Sequence, residues 1–160
     1  MKSNLSLACL LATTALLLAG CNYDVPLTPK PTRRIEARLL GDWVIVDKDS
    51  QKTEYLNVRL FDDSTYVVVM DGDVYRVFHS DFADTAFLSV QDLNADARKY
   101  VYFVWQLSAD NSQLTVTGVS NKVVPETTKD RAALQKLIKQ NLKNPTLLVD
   151  PLTFSRKKTS

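Results

Sequence analysis

The chain holds a single histidine, His79, in the run Arg76-Val77-Phe78-His79-Ser80-Asp81. A hydroxyl, an imidazole and a carboxylate together are the parts for nucleophilic attack, with Asp81 orienting His79 and His79 drawing the proton from Ser80. Their spacing opposes that use. Neighbours on a strand point to opposite faces, so His79 and Ser80 would meet only if a turn intervened. A lone histidine also offers no second imidazole for zinc. His79 is therefore read as a strand-end residue near a rim. Paired acids form the next candidate: Asp71 and Asp73 flank Gly72, and Asp62-Asp63 precede Ser64. Neither run has the ligand spacing of a calcium loop, and turns favour aspartate for its backbone hydrogen bonds. They are read as turn residues. Trp43, Phe103 and Trp105 supply bulky apolar side chains that could line a cavity. No motif calls for a cofactor or a metal.

Cys21 is the remaining reactive side chain. It follows Met1-Lys2-Ser3-Asn4 and then an uncharged run from Leu5 to Leu18. A spanning helix needs about 20 apolar residues, so this run is too short for a permanent membrane span. A charged start, a short apolar core and small residues before a cut site read as a secretory leader. An ordinary leader would end on Ala-x-Ala, whereas this one ends Leu18-Ala19-Gly20-Cys21. That ending resembles the signal of bacterial lipoproteins. The resemblance implies removal of residues 1–20, a diacylglyceryl thioether on Cys21 and a further acyl chain on the new amino terminus. One acyl chain holds a protein only marginally, and two or three make attachment effectively permanent. The membrane is thus an expected partner through Cys21. In the enteric form of this pattern, Asn22 rather than aspartate after the cysteine implies the outer membrane.

Lysine and arginine total 20 against 18 acids, and loss of the leader removes only Lys2, leaving 19 against 18. So balanced a chain has no electrostatic footprint for nucleic acid. The mature 140 residues suffice for one domain with a sizeable core. Cys9 departs with the leader and Cys21 is expected to be acylated, so no disulfide is available to the mature fold.

Residues 21–34 contain Pro26, Pro29 and Pro31, which deny a helix or a central strand. At about 3.1 Å per residue, such a linker could hold a domain up to ~40 Å from the lipid surface. Arg33 and Arg34 could touch anionic headgroups, although a pair of charges is more commonly just solvated. From Ile35 the period becomes two. Strands are expected at Glu36–Asp47, Thr53–Phe61, Thr65–Met70, Asp73–His79, Ala86–Gln91, Lys99–Ser108 and Gln113–Val119, separated by Asp/Asn/Ser/Gly turns. In Lys99–Ser108, Val101, Phe103, Trp105 and Leu107 share one face and Tyr100 and Tyr102 the other. Gly41 marks a bend or a close approach. A helix follows the hydroxyls and carboxylate of Thr127-Thr128-Lys129-Asp130, with Ala133, Leu134, Leu137, Ile138 and Leu142 on one stripe and Asn144-Pro145 ending it. An eighth strand, Leu147–Phe154, is interrupted by Pro151, which requires an edge or a bulge. Residues 156–160 form a polar tail.

The expected fold is mainly β: a small antiparallel eight-stranded barrel or half-open barrel over residues 35–155, with one C-terminal α-helix. Gly41-Asp42-Trp43 on the first long strand resembles the Gly-x-Trp motif of the lipocalin superfamily, and the order of strands, late helix and last strand is similar. The resemblance implies that Arg156 packs over Trp43. The chain lacks the family's Thr-Asp-Tyr segment and any cysteine pair. In a barrel this small the interior either fills with side chains or holds one small ligand, and short strands with bulky inward groups favour filling. The expected function is a non-enzymatic binding or interaction module anchored in the envelope, taking a small apolar molecule or a partner protein. The alternative is an accessory subunit of an outer-membrane complex. A hydrolase ranks last, for want of a nucleophile–base pair.

Overall fold

The computed structural model describes residues 22–46 and 51–157, so the leader, Cys21, Asp47 and the end of the tail lie outside them. The strands are β1 (Gly41–Val46), β2 (Thr53–Asp62), β3 (Thr65–Met70), β4 (Asp73–His79), β5 (Phe87–Asp92), β6 (Tyr100–Leu107), β7 (Gln113–Val119) and β8 (Leu148–Arg156). Each pairs antiparallel with the next, and β1 returns to β8 through Trp43↔Arg156 and Val44↔Ser155. The barrel is closed. Closure leaves no sheet edge to pair with another chain.

Period-two alternation sorts the side chains into two cores. Val58, Tyr66, Tyr75, Val77, Val101 and Leu114 belong to the interior cluster, with Phe103 and Trp105 packed on it. The opposite face of the same strands gives Phe87, Tyr102 and Val119 to a second cluster outside the wall. Helix α1 (Arg131–Asn141) covers that cluster with Leu134 and Ile138, both fully buried. Its cap is Asp130, whose carboxylate accepts from the Ala133 amide at 2.9 Å. A carboxylate there satisfies an otherwise unpaired amide of the first turn.

Two expectations change. The first strand is shorter than Glu36–Asp47. A 3-10 turn over Ala37–Leu39 precedes it, with the Glu36 side chain capping Arg38, and Gly41 at φ 130° swings the chain into β1. Pro151 lies inside β8, and of the two expected accommodations, an edge or a bulge, it takes the second. The barrel tolerates it through a bulge: the register moves from Val116↔Leu152 to Gly118↔Val149, with Asp150 left-handed at φ 53°. The second change concerns the proline-rich segment. From Tyr23 onward it does not stand off as a spacer but lies strapped along the outer wall.

Tyr23 and Leu27 are both 0% exposed within the outer cluster. Tyr23 exchanges both backbone hydrogen bonds with Tyr100, at 2.8 and 2.9 Å. Further on, the Leu27 amide donates to Ser89 Oγ at 3.2 Å, Thr32 bonds the His79 carbonyl and the Ile35 amide reaches Asp63. Proline forbids helix and ladder, but an extended chain whose polar groups find side-chain partners packs without penalty.

Candidate functional site

The two ends of the barrel are built differently. At one end, Leu39 folds under the barrel from the 3-10 turn and Trp43 Nε1 donates to its carbonyl at 3.0 Å. The Arg156 guanidinium lies 4.1 Å over the Trp43 ring and donates to the carbonyls of Asn111, Leu40 and Arg38. Gly41 is required here on two counts: its φ is positive, and a Cβ would stand 2.9 Å from Arg156 Nη1. This is the closed end. The other end, where β1–β2, β3–β4, β5–β6 and β7–β8 turn, is the mouth.

Between them runs a cavity of about 110 Å³. It reaches from Leu39 and Tyr66 near the floor to Met70 and Leu152 near the mouth, and its lining is aliphatic and aromatic. Phe103 is one of its walls. Trp43 and Trp105 face the same interior but stand at the closed end and do not line the cavity. Near the mouth, Glu54 shares the inward face with Leu56 and Val58 and is only 4% exposed. Lys52 Nζ reaches its carboxylate at 3.3 Å and that of Asp71 at 3.2 Å.

The floor holds His79, which is completely buried. Arg33 Nη2 is 3.3 Å from Nδ1, and a guanidinium can only donate, so Nδ1 accepts and Nε2 carries the proton. Nε2–H then donates to the Tyr66 hydroxyl at 2.8 Å, which also accepts the Glu36 amide at 2.5 Å. Burial, with the Arg33 charge second, pushes the imidazole down to about 4. Burial likewise raises Tyr66 to about 12. Arg33 is itself held by Asp81 at 2.9 Å and lies 5.5 Å over the Trp105 ring.

Ser80 belongs to the outer side, where it bonds Thr28 and Ser89 at 2.9 and 2.7 Å. His79 and Ser80 thus turn to different partners, as adjacent positions at a strand end should. Asp62 caps its own turn at the Ser64 amide, 2.8 Å away, and Asp71 at φ 50° with Gly72 makes the β3–β4 turn. Among the described residues, no three His, Cys, Asp or Glu side chains gather to hold a metal ion.

Sequence reasoning missed Tyr66, Glu54 and Arg33. Tyr66 was identifiable in principle, since its two-residue spacing to Val68 and Met70 puts it on the inward face of a strand. The role of Arg33 depends on the path of the strap and had no local signal. Cys21 lies outside the described residues. Comparison of the chain with protein-family models, with curated proteins and with solved structures finds no match in any of the three.

Proposed function

We propose that the mature protein is a lipid-anchored protein of the bacterial envelope whose barrel holds a small apolar molecule and catalyses no reaction. The observation that carries the binding half is the cavity of about 110 Å³ walled by residues such as Val68, Met70, Phe103 and Leu152. An apolar void of about 150 Å³ is enough to stay dry and take up benzene, so the guest is small or enters by one end only. The anchoring half rests on Leu18-Ala19-Gly20-Cys21, and Asn22 favours the outer membrane, with the domain on its periplasmic face. The likeness to lipocalins is supported by Gly41, Trp43 and Arg156 packing as one unit at the closed end. Against a hydrolase stand the separate partners of His79 and Ser80.

Native mass spectrometry of the full chain taken from its membrane tests both halves. The expected species is an acylated polypeptide beginning at Cys21 with one small molecule retained; polypeptide with no companion would end the carrier reading. One observation favours the accessory-subunit reading instead. Leu60 and Phe61, at the β2–β3 hairpin, are 57% and 65% exposed, which is unusual for side chains of that size. If that hairpin docks a protein, the acylated form should recover one envelope protein in stoichiometric amount, and Phe61→Ser should lose it.

A further inference from the structure

We propose that the barrel stands mouth-down on the bilayer that holds its anchor, so that an apolar guest passes between the lipid and the cavity without crossing water. The proposal rests on acylation of Cys21 and adds an orientation and a source for the guest.

The strap decides the orientation. Its first fixed point is Tyr23, paired through both backbone groups with Tyr100, the opening residue of β6 at the mouth. The Tyr23 ring stacks on Tyr102 with centroids 4.7 Å apart, and its hydroxyl donates to the Val124 carbonyl at 2.6 Å. Asp24, next along, pairs with Lys99 and, at 2.5 Å, with Lys129. The chain is therefore docked on the wall within two residues of Cys21. Two residues of extended chain span no more than about 7 Å. Ten residues of β2 at about 3.3 Å each, tilted by about 40°, make the barrel roughly 25 Å tall. An anchor on so short a lead cannot reach from the mouth to the far end. Acyl chains on Cys21 hold the mouth at the headgroups and leave the closed end in water.

The rim suits that position. Val46 and Leu148, on the adjoining strands β1 and β8 at the mouth, are 50% and 37% exposed. Asp24 with Lys99 and Lys129, and Lys52 with Glu54 and Asp71, pair opposite charges at the same end. Met70 and Leu152 bring the apolar lining to this opening.

The competing orientation puts the exposed Leu60 and Phe61 of the closed end into lipid, and one experiment separates the two. The acylated full chain is reconstituted in phosphatidylcholine vesicles containing a headgroup-nitroxide lipid. A fluorophore is placed on Asp96→Cys, in the β5–β6 turn at the mouth, or on Asp63→Cys, in the β2–β3 turn at the closed end; acylation leaves no native thiol to compete. Intact mass first verifies the acyl chains. Quenching several-fold stronger at position 96 than at 63 is expected, and a 20-residue Gly/Ser insertion after Asn22 should abolish the difference. Equal or reversed quenching in acylated protein overturns the orientation while leaving the anchor standing. A missing acyl mass overturns the anchor and the orientation together.

Discussion

His79 is a buried neutral imidazole held between a guanidinium and a phenol, and its environment fixes a pH signature. Its folded pKa lies at about 4, below the ordinary 6.5. The unfolded chain therefore binds a proton between those values that the folded chain refuses. Stability should be complete above pH 6.5, fall as pH drops toward 4, and lose nothing more from this group below that. The loss amounts to about 3 kcal/mol. Urea midpoints across that window, compared with those of His79→Gln, check it: the variant should show a flatter slope there. Glu36, held at about 2 by its bond to Arg38, acts in a separate and more acidic window. At the closed end, Gly41→Ala should cost about 1–3 kcal/mol, because the added methyl meets the guanidinium that covers Trp43 and the φ of 130° is strained for any side chain. Thermal unfolding reads this directly, and Asp42→Ala next door, which loses a surface pair with Arg59 and a hydrogen bond from Asn57, should shift it less.

At the scale of elements, what was legible follows from alternation. Val101, Phe103, Trp105 and Leu107 could be assigned to one face because a strand has a period of two, and the same rule put Tyr100 and Tyr102 outside. The stripe Leu134, Leu137, Ile138 gave the helix, although not the wall it covers. Elements that depend on distant partners were not legible. Pro26, Pro29 and Pro31 read as a spacer because proline excludes regular structure, and nothing local says that Tyr23 and Leu27 find a groove between the barrel and α1. Likewise Ala37–Leu39 carried apolar residues compatible with strand, and only capping by Glu36 and the turn at Gly41 convert it to a 3-10 floor. The strap carries its own prediction. Tyr23→Ala removes a fully buried ring and its bond to Val124, and should destabilise residues 22–160 by about 3 kcal/mol in urea unfolding. A true spacer would show no change.

For the whole molecule, the division of labour is between two cores. The outer one, formed by strap, helix and wall, buries Tyr23, Leu27, Phe87, Leu134 and Ile138 completely; the inner one is filled at the floor and leaves a cavity above Tyr66. A barrel braced from outside can keep space inside, since removing side-chain volume from an unbraced core costs stability in proportion to the void. Val68 on β3 lines that space, so Val68→Phe should fill it with little loss of stability. The direct test of the account is a methyl-NMR titration of residues 22–160 with benzene. Saturable shifts at Val68, Met70 and Leu152, absent at Val46 and Leu60 and abolished by Val68→Phe, are the predicted result. Shifts that never saturate, or that appear only at surface methyls, would contradict a ligand-holding interior.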